Sequence, residues 1–152
     1  MKYIEYEIVS RVIETWTLVR RACKDNGNFE KMFGRQILYQ LAQLAPSVQD
    51  FYGTDEKMGQ HAMGIVKLFD SVFQMLGPDL EFIEELLDQV GVRHANMGVD
   101  VAFFPALGQS LIWAIDQNIG DEMDDEDREA WQLVYDVISA DIIKAMNACR
   151  QS

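Results

Sequence analysis

The chain has 152 residues, enough for one domain that buries about 70% of its unfolded surface without metal or disulfide staples. Asp and Glu number 25 against 13 Lys and Arg, and the net charge of −12 argues against nucleic acid or an anionic membrane surface as partner. The acidic start MKYIEYEIVSR is no signal peptide, and no run reaches the ~20 apolar residues of a membrane span, so a single cytoplasmic domain over 1–152 is expected.

The apolar pattern is helical throughout. Ile8, Val12, Trp16, Val19 and Cys23, flanked by Val9 and Ile13, recur at three- and four-residue steps, predicting a helix over 4–24. Asp25-Asn26-Gly27 breaks it, and Asn28 can cap a second helix. That helix turns Phe29, Met32, Phe33, Ile37, Leu41 and Leu44 inward until Pro46 stops it. Pro46 also suits the first position of a short helical turn, PSVQDFY. A corner at Gly53-Thr54-Asp55 offers Thr54 or Asp55 as the next cap.

The third helix, over about 56–76, carries Met58, His61, Ile65, Leu68, Phe69, Val72, Met75 and Leu76 on one stripe. Gly77-Pro78-Asp79 separates it from a fourth, with Phe82, Ile83, Leu86, Leu87, Val90 and then His94. Gly91 is expected to weaken, bend or break that helix near its end. Asp100 can cap a fifth helix to about Ile119, carrying Val101, Phe103, Phe104, Leu107, Leu111, Ile112 and Ile115. Pro105 means that this helix either starts near Phe104 or kinks there. The run Asp124-Asp125-Glu126-Asp127 opens the last helix, where the dipole favours negative charge. Trp131, Val134, Tyr135, Ile138, Ile142, Ile143 and Met146 form its apolar face. The expectation is an all-α domain of six main helices and one or two short ones, packed as a near-parallel bundle or with steep crossings.

Two histidines are the residues with chemistry to offer. His61 and His94 stand 33 residues apart on successive helices, each on an apolar stripe. A lone histidine on such a face is usually a core residue bonded to a backbone carbonyl. Two that both point inward can instead share a ligand. A bare zinc ion wants three or four His, Cys or carboxylate ligands. The neighbours here are Ile65, Leu68, Leu87 and Val90, which suit a large apolar cofactor needing one or two axial nitrogens, as haem does. Cys23 and Cys149 are far apart and lack metal-site spacing; they are read as free thiols, with a bridge as the alternative.

These features together resemble the globin family over nearly the whole length. His94, with Val99, Phe104 and Gly108 following, is similar to the proximal-histidine stretch of bacterial single-domain globins and flavohaemoglobin haem domains. His61 with Ile65 resembles the distal pair, and Pro46, Val48, Phe51 and Tyr52 the short helix with the aromatic that stacks on haem. Trp16 and the pair Trp131 and Tyr135 resemble landmarks of the first and last helices. The resemblance implies a globin fold and haem b, with His94 as proximal iron ligand and His61 as distal residue or sixth ligand. It implies a pocket that includes Leu38, Phe51 or Tyr52, Ile65, Val90, Val99, Phe104 and Leu107. Counting from Pro46 makes Tyr52 the stacking aromatic, and counting from His61 favours Phe51; a one-residue shift would replace Leu38 by Tyr39.

The function this implies is reversible binding or transport of O₂, or binding of NO or CO, by a monomer or homodimer. The enzymatic alternative is NO dioxygenation with a separate reductase. A redox or gas sensor with a partner, and a haem-free helical interaction module, are the other readings.

Overall fold

The computed structural model describes residues 1–23, 28–76 and 80–151; the expected Asn26-Gly27 turn and the Gly77-Pro78-Asp79 corner lie outside them. Among the described residues there are six α-helices: α1 (Tyr6–Ala22), α2 (Phe29–Leu44), α3 (Asp55–Met75), α4 (Leu80–Asn96), α5 (Phe103–Ile119) and α6 (Asp125–Gln151). Two short 3-10 turns, Pro46–Phe51 and Gly120–Glu122, complete the order, and no described residue is in a strand.

Helix ends follow local chemistry. The Asn28 side chain accepts from the Lys31 N–H at 3.1 Å and caps α2. Thr54, rather than Asp55, caps α3 by accepting from the Lys57 N–H at 3.2 Å. Ala45, pushed out of helical space by the following proline, ends α2, and Pro46 opens the short turn. At the start of α6, Asp124 accepts from the Asp127 N–H at 2.7 Å, and Asp127 returns the bond to the Asp124 N–H at 3.2 Å. The acidic run is therefore a reciprocal cap, and Arg11 on α1 pairs with Asp124, Glu126 and Asp127.

Both questions left open by α5 are answered. The helix begins at Phe103, so Pro105 falls in its first turn, where no intrahelical N–H bond is lost. Asp100 caps the preceding turn instead, accepting from the Ala102 N–H at 2.9 Å.

Gly91 does not break α4, which continues to Asn96. It lets α6 approach: a Cβ there would stand 2.6 Å from both the Ile142 carbonyl oxygen and the Ala145 Cβ. Gly98, at φ 76°, then reverses the chain after α4.

The core centres on an aromatic cluster. The Trp16 ring meets Phe29, Phe33 and Phe73 edge to face, with centres 5.1–5.6 Å apart. Trp131 packs edge to face on Phe73 at 5.1 Å and donates its indole N–H to the Thr15 hydroxyl at 2.7 Å. The predicted stripes are wider than the buried faces. Ile13, Met32, Leu44 and Phe82 were expected inside but are exposed, Phe82 to 54%.

The arrangement of pairs positions the site. α4 packs mainly on α6, and α2 on both α3 and α5, while α3 and α4 touch only lightly. These two sequence neighbours do not fold flat against each other, and the space between them stays open.

Candidate haem-type pocket

That space is a cavity of about 460 Å³, within the ordinary range for small-molecule and cofactor sites. His61 from α3 and His94 from α4 both line it. Their ring centres are 6.2 Å apart, with the planes tilted by 49°.

His94 Nδ1 lies 2.7 Å from the Val90 carbonyl oxygen, one helical turn back. A carbonyl can only accept, so Nδ1 carries the hydrogen and Nε2 keeps its lone pair. The edge of Phe104 supports this ring, at 5.8 Å between centres. Phe104 is in turn fixed by the Tyr135 hydroxyl, which donates to its carbonyl; burial pushes the Tyr135 pKa up. The Arg150 guanidinium donates to the Val99 carbonyl and ties the end of α6 to the segment after α4.

His61 Nδ1 is hydrogen-bonded to the Tyr52 hydroxyl. Burial, and then the neighbouring His94, lower the His61 pKa from 6.5 to about 4. Burial also pushes the Tyr52 phenol up to about 12. Both groups are therefore neutral near pH 7.

The Globin family model matches residues 35–142. The chain belongs to the globin family. It is 21% identical over 133 residues to a neuroglobin of Danio rerio, covering 80% of this chain and 83% of that protein. It is 24% identical over 149 residues to an anaerobic nitrite reductase of Physcomitrium patens, covering 93% and 81%. A hexa-coordinate haemoglobin of Drosophila melanogaster superposes with a TM-score of 0.78 at 20% identity, covering 93% of this chain and 94% of that one. The expected globin fold is thus found.

In this globin Phe51, Tyr52, Ile65, Val90, Val99, Phe104 and Leu107 all line the cavity with the two histidines. Phe51 and Tyr52 both reach it, from different places. Phe51 sits at the exposed edge against Phe103, at 5.8 Å, whereas Tyr52 is half-buried beside His61. Leu38 is buried in the core but is not in the lining; Leu41, one turn later, takes that place. Tyr39, its neighbour, is exposed.

Sequence reasoning missed Lys57 and Arg93, two cations in the lining, as well as Ser139. Lys57 lies one helical turn before His61, and Arg93 directly precedes His94, a spacing that could have drawn attention to them. Tyr135, Ile138, Ser139 and Ile142 line the far side from one face of α6. Among the described residues, no cluster of three or more His, Cys, Asp or Glu could hold a bare metal ion, and no helix is long and apolar enough to cross a membrane. Cys23 points at Asn118 and Cys149 at Asn96, so the two thiols are not bridged to each other.

The lowered His61 pKa predicts an acid-sensitive fold in the haem-free chain. Between pH 6.5 and about 4 the unfolded chain protonates this ring and the folded chain does not. The contribution is complete above pH 6.5 and is lost as pH falls toward 4, amounting to roughly 3 kcal/mol at most. Urea unfolding at pH 7 and pH 4.5 should show a larger loss for wild type than for His61→Gln. Equal losses would refute the assignment.

Proposed function

We propose that residues 1–152 form one haem-binding domain that holds haem b through His94 and reversibly binds a diatomic gas, with O₂ first among candidates. The observation that carries this reading is the 6.2 Å separation of the two rings across an apolar cavity. Half of it accommodates one imidazole radius plus a metal–nitrogen bond of about 2 Å. The residues fit the group in other ways. His94 has its Nε2 lone pair fixed by the bond from Nδ1 to Val90. Lys57 and Arg93 supply positive charge for the two carboxylate arms of a haem. Ile65, Val90, Leu107 and Ile142 supply apolar walls.

When bound, haem iron supplies reversible gas coordination and one-electron redox chemistry. His94 would hold the iron through its Nε2 lone pair, fixed by the bond from Nδ1 to Val90. His61, across the cavity, would offer either its Nε2 lone pair to the same iron or, with hydrogen on Nε2, a donor to a polar diatomic, a contact that would favour O₂ over CO. Phe51 and Phe103 close one edge of the cavity against water.

The test is a visible spectrum of the haem-supplemented protein, ferric and then dithionite-reduced. A Soret band that survives gel filtration and two sharp bands on reduction are expected. His61→Ala should keep its haem and give one broad band instead. No Soret band after gel filtration would overturn the haem reading. A His61→Ala spectrum identical to wild type would overturn the role of His61 alone.

A second reading is electron-dependent chemistry on nitrite or NO with a separate reductase. The similarity to a nitrite reductase favours it. Anaerobic NO release from the reduced protein with nitrite, sustained by a cellular reductant, would support it; a single turnover without re-reduction would count against it.

A further inference from the structure

The two cavity histidines are held by partners of different kinds. His94 Nδ1 faces the Val90 carbonyl, which accepts and cannot donate. In the neutral ring its Nε2 therefore keeps a lone pair toward the cavity. His61 Nδ1 faces a hydroxyl, that of Tyr52. A hydroxyl can do both, so either neutral form of His61 is satisfied at the same ring position. With Tyr52 accepting from Nδ1–H, Nε2 presents a lone pair to the cavity. With Tyr52 donating to Nδ1, Nε2 presents an N–H.

We propose that Tyr52 is a positioning residue that lets His61 alternate between metal ligand and N–H donor to a bound gas by reversing one hydrogen bond. The proposal rests on the haem reading above. The exchange is balanced: one proton enters at Nε2 from water, and one leaves Nδ1 through the tyrosine oxygen, so the ring stays neutral. Local structure holds the phenol in place. Tyr52 ends the Pro46–Phe51 turn with its N–H on the Gln49 carbonyl at 3.0 Å. Its ring centre lies 5.4 Å from that of His61. A phenylalanine at 52 would keep the ring and remove both hydrogen-bonding options.

The test compares haem-loaded wild type, Tyr52→Phe and His61→Ala by three readouts. These are the reduced visible spectrum, the C–O stretch of the CO-bound reduced form, and ¹⁵N NMR of the His61 ring with and without CO. In wild type the hydrogen should sit on Nδ1 without CO and on Nε2 with it. In Tyr52→Phe the C–O stretch should move toward that of His61→Ala. CO should also displace His61 about five- to tenfold faster, the equivalent of one lost hydrogen bond. The same nitrogen protonated in both wild-type states overturns the proposal. So does a Tyr52→Phe protein that matches wild type in stretch and rate while His61→Ala differs, and this leaves the haem reading standing. If His61→Ala also matches wild type in every spectrum, the sixth-ligand reading fails together with the proposal.

Discussion

His94→Ala is expected to lose haem on gel filtration, with affinity falling by more than about 100-fold. Losing an outer partner of a metal ligand costs 10–100-fold, and this substitution removes the ligand itself. His94 is the imidazole whose lone pair is fixed toward the cavity, through Val90 behind it and Phe104 beside it. His61 alone would leave a haem held from the opposite side by a ring that its tyrosine allows to change form. The haem-free variant should keep its helicity, because His94 is half-buried and its bond to Val90 is local. Circular dichroism and haem titration together check both halves of the expectation. Equal haem retention in His94→Ala and wild type would refute the proximal assignment.

The largest expected loss of stability follows Trp131→Ala, about 3–5 kcal/mol by chemical denaturation. Trp131 is 1% exposed and touches both Phe73 and Trp16. Its removal leaves a void where α6 meets α1 and α3, beside the rigid rings of Trp16 and Phe73. Trp131→Phe separates packing from polarity. It keeps most of the apolar contact and gives up the indole bond to Thr15. That variant should lose nearer ~1 kcal/mol, because the Thr15 hydroxyl keeps its own acceptors, the Arg11 and Val12 carbonyls. A Trp131→Ala midpoint within error of wild type would mean that the cluster does not hold α6.

The helices and both histidines were legible because apolar periodicity reports which face of a helix is covered. It does not report what covers it. Leu38 and Leu41 share one face of α2, and counting from Pro46 selected the one that packs into the core. Gly91 was read as a weakness because helix propensity is local, whereas its use is to admit the backbone of α6 from more than fifty residues away. Lys57 and Arg93 give no apolar signal, since a cation at the rim of a cavity looks like any solvated charge; only their placement beside His61 and His94 sets them apart. The bond from Tyr52 to His61 spans a corner and a helix start, so it needs three dimensions to be seen.

The light contact between α3 and α4 has a mechanical consequence. Each histidine rides on its own slab, His61 on α2 with α3, and His94 on α4 with α6. The slabs are clamped elsewhere, through α5 and the aromatic cluster, but across the cavity they face each other like the jaws of a vice without a screw. A rigid disc gripped by both jaws is the missing screw. Loading it joins two halves that otherwise meet only through those clamps, so resistance to unfolding should rise with the free concentration of the disc, by the logarithm of its excess over the dissociation constant.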